Sequence, residues 1–98
     1  MTAAEHTIDA AAACTVRVVN PKGLHARPAS KVAKLTTSYD AVVFVACNDE
    51  IAEADSIMDL LMLGAAPGAD LKIAARGSDA AAAVEAVADL VRRGFDEI

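Results

Sequence analysis

With 98 residues, 55% of them apolar, and a net charge of −5, the chain has room for one domain and one core. Its longest apolar runs fall far short of a membrane span. Two cysteines and two histidines, all widely spaced, argue against a metal site, and the acidity argues against nucleic acid. Alanine supplies much of the apolar fraction and aromatics only 3%, so the core must come from Val, Ile, Leu, Met and Ala.

The opening "MTAAEHTIDAAAAC" has no basic n-region and carries Glu5 and Asp9. It does not read as a secretory signal, and a cytoplasmic location is expected. Residues 1–13 are expected to be a disordered tail containing a solvated His6, with the folded domain spanning 14–98. "CTVRVVN" (14–20) is β-branched and alternating, hence a strand, and "PKG" (21–23) is a turn. The spacing of Ala29, Val32, Ala33 and Thr36 predicts a helix from His25 to about Thr37. Pro28 falls in its first turn, where the missing N–H costs nothing. "AVVFVAC" (41–47) and "IAEA" (51–54) read as strands around the turn "NDE" (48–50). "SIMDLLML" (56–63) reads as a helix opened by Ser56 and closed by Gly64. "ADLKIAA" (69–75) is a fourth strand. Apolar positions 80, 84, 87, 88 and 91 give the run 79–93 a helical period. The order β-α-β-β-α-β-α implies an α+β, two-layer open-faced sandwich, with three helices on one face of a four-stranded sheet. Cys14 and Cys47 read as small buried hydrophobes of a reducing compartment.

Charge singles out one junction. Between Ala10 and Tyr39 there is no acidic residue, while Arg17, Lys22, Arg27, Lys31 and Lys34 give that stretch +5. His25 stands where the turn meets the helix, a place that Ser, Asp or Asn would cap better. A helix N-terminus offers free N–H groups and partial positive charge to a phosphoryl group. The backbone of Ala26 and Arg27 would supply the N–H groups, and the Arg27 fork would supply further donors. The positive surroundings favour a neutral ring, whose nitrogen is a nucleophile near pH 7. There is no Ser-His-Asp set and no phosphate-cradling Gly-rich loop. The arrangement therefore suits a stoichiometric carrier rather than an enzyme with its own substrate pocket. A solvated or capping histidine is the competing reading of the same residue.

The segment "GLHARPA" (23–29) resembles the active-site signature of the histidine-containing phosphocarrier (HPr) family of the phosphoenolpyruvate-dependent phosphotransferase system. "ADSIMDLLMLGAAPG" (54–68) resembles a second segment of that family. The resemblance runs from about Cys14 to the C-terminus and implies the same β-α-β-β-α-β-α fold. It implies that His25 is phosphorylated at Nδ1, that Arg27 stabilises the phosphoryl group, and that no cofactor is needed. The implied donor is enzyme I, charged by phosphoenolpyruvate, and the implied acceptor is an enzyme IIA-type protein. Ser56 matches the serine modified by HPr kinase/phosphorylase in some bacteria, although Ser is also a good N-cap. Helical spacing and the resemblance turn Leu60 and Leu63 inward. Ile57, Met58, Leu61 and Met62 then face outward and, with Ser30, form a partner-docking patch rimmed by Lys31 and Lys34. The family is usually monomeric. "LLMLGA" and "GFDEI" resemble the nitrogen-related (NPr) branch, and Asp55 and Asp59 beside Ser56 differ from many sugar-type members. A regulatory binding protein switched at Ser56, and a small ligand-binding domain with an incidental histidine, are the rival functional classes.

Overall fold

A computed structural model describes residues 10–97. The strands are β1 (Ala12–Arg17), β2 (Val42–Cys47), β3 (Glu50–Glu53) and β4 (Asp70–Arg76). The helices are α1 (Ala26–Thr36), α2 (Ile57–Met62) and α3 (Ala80–Arg92), followed by a 3-10 turn, Gly94–Asp96. The four strands form one antiparallel sheet in the order β1-β4-β2-β3. All three helices cover one face, as the order of elements implied.

The period-2 pattern of the strands builds the inner face. Leu71, Ile73 and Ala75 of β4 and Val43, Val45 and Cys47 of β2 are buried, and Val16 of β1 joins them. Helix α3 answers with Ala80, Ala83, Val84, Val87, Ala88, Leu90 and Val91. Helix α1 contributes Pro28, Ala29, Val32, Ala33 and Thr36. The hairpin between β2 and β3 turns on Asn48 and Asp49, at φ 51° and 69°. Two consecutive left-handed residues match the twist of the strands, and Asn and Asp tolerate that region better than other side chains.

The frayed segment expected over residues 1–13 is too long at its inner end. Residues 1–9 lie outside the described residues, but Ala12 and Ala13 pair with Ala75 and Ala74 in β1, and the Ala11 amide reaches the Ala75 carbonyl at 2.9 Å. Alanine carries little β-propensity of its own; here the pairing edge of β4 sets the strand's length. At its other end β1 stops at Arg17, short of the expected Asn20, while Val18 still bonds the loop backbone at Ala69 and Gly68. Cys47 is buried, and burial, then the nearby Asp70 charge, pushes its thiol up. Cys14 is only partly buried, against the expectation, because β1 is an edge strand and its sulfur meets Arg92 from α3.

The last turn positions the site. Phe95 is fully buried yet its backbone is left-handed (φ 57°), and Asp96 follows at φ 61°. Such a conformation costs a non-glycine residue about 1–2 kcal/mol. Burying a phenylalanine returns roughly 1.5–3 kcal/mol, and Lys31 Nζ donates to the Phe95 carbonyl at 2.6 Å. The turn thereby carries Glu97 back across the start of α1.

Candidate functional site

The loop before α1 is shaped by one glycine and one leucine. Gly23 is left-handed (φ 67°), and a Cβ there would collide with the Ala65 carbonyl oxygen. Leu24 is buried, and its amide donates to that same carbonyl at 3.0 Å. The "GLHARPA" loop is thus fastened directly to the end of the "LMLGAA" segment. With Leu24 turned inward, His25 follows in extended backbone (φ −91°, ψ −168°) as the N-cap of α1. Its carbonyl accepts from Ala29 at 3.0 Å, but its side chain makes no capping bond. The N–H groups of Ala26 and Arg27 therefore begin the helix without an intrahelical acceptor, as any first turn does.

The ring turns instead towards the C-terminal segment. His25 Nε2 lies 2.8 Å from Glu97 Oε2, with the imidazole about one-third exposed. Asn20 Nδ2 donates to Glu97 Oε1 at 2.8 Å and to the Gly23 carbonyl at 2.8 Å. The amide must face this way, since its oxygen would otherwise meet a carboxylate and a carbonyl, both acceptors. Asn20 is buried, and its Oδ1 has no hydrogen-bond partner. Burial pushes the Glu97 carboxyl up. The bonds from Asn20 and His25 and the charges of His25 and Lys31 outweigh this and hold it below the usual carboxylate range.

Arg27 is exposed and lines a cleft of about 370 Å³ with Pro21, Lys22, Lys31, Asp96 and Glu97. This cleft holds three cations and two carboxylates, so His25 does not sit in a purely positive field. The expectation drawn from residues 10–39 missed the acidic end of the chain folding back onto it.

Ser56 is the N-cap of α2: its Oγ accepts from the Asp59 amide at 3.2 Å. Leu60 and Leu63 are buried. Ile57, Met58, Leu61 and Met62 face out, with Met58 69% and Met62 77% exposed. Ser30 is exposed on α1, which packs against α2. The inward and outward division of α2 follows the expected spacing. Lys34 is exposed, whereas Lys31 is half-buried and bonded to the Phe95 carbonyl, so it belongs to the cleft beside Arg27 rather than to a free rim. Asn20 and Glu97 were absent from the expected site. No helix among the described residues is long and apolar enough to cross a membrane.

An α+β sandwich with a histidine at a helix N-terminus and an arginine one turn-step away defines a class of protein, and comparison with known proteins gives that class its family. The model described as "PTS HPr component phosphorylation site" matches residues 12–93. The chain belongs to this family, the HPr-type phosphocarriers of the phosphotransferase system. Phosphocarrier protein NPr of Klebsiella oxytoca is 46% identical over 85 residues, covering 85% of this chain and 93% of that protein. Phosphocarrier protein HPr of Neisseria meningitidis serogroup B is 35% identical over 83 residues, covering 85% and 93%. HPr of Thermoanaerobacter tengcongensis, solved by crystallography, superposes with a TM-score of 0.83 at 31% identity, covering 89% of this chain and 98% of that one.

Proposed function

We propose that His25 accepts a phosphoryl group at Nδ1 from enzyme I and passes it to an enzyme IIA-type protein. The observation that carries this reading is the position of His25: a part-buried N-cap whose ring turns to Glu97 and leaves the helix's first N–H groups unoccupied. The Nδ1 lone pair attacks phosphorus, and the donor departs with the electrons of its own bond to phosphorus. The amides of Ala26 and Arg27 and the Arg27 guanidinium receive the phosphoryl oxygens. Their donors bind charge without forming a second covalent bond, which leaves the group transferable.

Partners dock on the apolar face made by Ile57, Met58, Leu61 and Met62 with Ser30. Its exposure is unusual for a small monomeric domain and supports an interaction surface. The acceptor belongs to the nitrogen-related, regulatory branch. This is supported by 46% identity to an NPr against 35% to an HPr, and by Asp55 and Asp59 around Ser56, whose charge selects complementary partners. The carrier acts as a cytoplasmic monomer. Ser56 is a second modification point for an HPr kinase/phosphorylase; a phosphate there adds charge beside the docking face and weakens engagement with enzyme I.

The test is a reconstituted relay. Phosphoenolpyruvate, Mg²⁺ and a nitrogen-type enzyme I should phosphorylate the wild type, and an added enzyme IIA-type protein should then remove the label. His25→Ala should accept none. Label retained by His25→Ala, or lost on Ser56→Ala instead, would move the function to Ser56 and to a regulatory binding protein.

A further inference from the structure

Three groups around His25 carry costs that the phosphocarrier reading alone does not use. Asn20 is 2% exposed, yet its Oδ1 is unpaired, a rare arrangement in a native interior. Both of its described bonds are donated, one to Gly23 and one to Glu97. Phe95 and Asp96 adopt left-handed backbone without being glycine. Strain of this kind is retained where the surrounding structure needs the geometry it produces. Both features converge on one outcome, a Glu97 carboxylate held 2.8 Å from His25 Nε2.

We propose that Glu97 is a positioning residue for His25: anchored by Asn20, it fixes the Nε2–H tautomer and leaves the lone pair at Nδ1 for phosphorus. The inference rests on the reading of His25 as the phosphoryl acceptor. A carboxylate only accepts, so the proton of a neutral ring must lie on the nitrogen facing it. In the forward step the Nδ1 lone pair forms the N–P bond, and the electron pair of the broken bond leaves with the donor. The ring becomes a cation carrying phosphorus on Nδ1 and hydrogen on Nε2, and Glu97 compensates the new charge. In the return step the N–P electron pair goes back to Nδ1 and the ring is neutral again, its proton still on Nε2. No proton needs to leave the imidazole in either direction. Of the other charged groups of the cleft, the exposed Lys22 and Arg27 are left to meet phosphoryl oxygens, while Lys31 is held by the Phe95 carbonyl and Asp96 by Arg93.

The experiment is ¹⁵N NMR of the His25 ring in wild type, Glu97→Ala and Glu97→Gln at a pH where the ring is neutral. ³¹P NMR then follows treatment with phosphoramidate, a chemical donor that needs no partner protein. Wild type should show the Nε2–H form and phosphorylation at Nδ1. In Glu97→Ala the Nδ1–H form should rise by roughly tenfold relative to Nε2–H, the weight of one charge-assisted hydrogen bond, and phosphorylation at Nε2 should appear. The backbone amide spectrum away from the loop should not change. Glu97→Gln can donate from its amide and should also admit the Nδ1–H form. An unchanged tautomer and unchanged Nδ1 selectivity in both variants would overturn the proposal while leaving the carrier reading intact. A shifted tautomer in a protein whose wild type takes nothing from any enzyme I would sustain Glu97's hold on the ring and remove the carrier reading.

Discussion

The Leu24 amide donates to the Ala65 carbonyl at 3.0 Å, joining the loop that presents His25 to the end of the helix segment that presents the exposed apolar patch. The histidine and the apolar patch are therefore held in one frame. Gly23 lies against the same carbonyl. Gly23→Ala brings both a left-handed alanine and a collision with that oxygen. It should cost about 1–3 kcal/mol, measured by urea unfolding, and should displace the His25 loop.

Helix α2 carries a core residue and an exposed apolar residue within one turn. Leu60 is fully buried and Met62 is 77% exposed. Leu60→Ala should lose about 2–5 kcal/mol of stability. Met62→Ala should stay within about 0.5 kcal/mol of wild type yet weaken enzyme I binding, as calorimetric titration would register.

Ser56 caps a helix of only six residues. Ser56→Ala should lower stability by about 1 kcal/mol, visible in the unfolding midpoint. Ser56→Asp should keep the cap and slow phosphoryl acceptance from enzyme I by adding charge beside the patch.

Arg27 is exposed at the second position of α1 and contributes nothing to the core. Arg27→Ala should fold like wild type, checked by circular dichroism. Its single-turnover phosphoryl transfer should fall roughly 10²-fold, as when one charge-stabilising donor is removed.

Acid should loosen the C-terminal turn. Hydrogen bonding and charge from Arg93 hold the Asp96 carboxyl low, and Glu97 is also held low. A carboxyl depressed in the folded state contributes stability above its unfolded value and loses it as pH falls through the folded one. Melting temperature should therefore drop on acidification below the ordinary carboxylate range. The double variant Asp96→Asn, Glu97→Gln should start lower at neutral pH and show a flatter acid limb.

Periodicity made α3 readable from positions 80, 84, 87, 88 and 91, and spacing together with the family resemblance divided α2 between Leu60 and Leu63 inside and the exposed Met58 and Met62. The α3 pattern depends on local geometry alone. The start of β1 was hidden because Ala12 and Ala13 take strand geometry from their partner rather than from their own preference. The pairing of His25 with Glu97 spans 72 positions and depends on how α3 ends. Gly94 (φ 65°) marks where α3 stops, but Phe95 and Asp96 stay left-handed without being glycine, so nothing local announces that the chain turns back onto His25. Asn20 looked like the last residue of a strand, and only the folded loop turns its amide to Glu97.

The measurement that bears most directly on the account is intact mass after incubation with phosphoenolpyruvate, Mg²⁺ and enzyme I, with sugar-type and nitrogen-type donors run in parallel. A carrier charged on His25 gains one phosphoryl group, lost in acid and absent from His25→Ala. No gain with either donor, or a gain of equal size in His25→Ala, would contradict it.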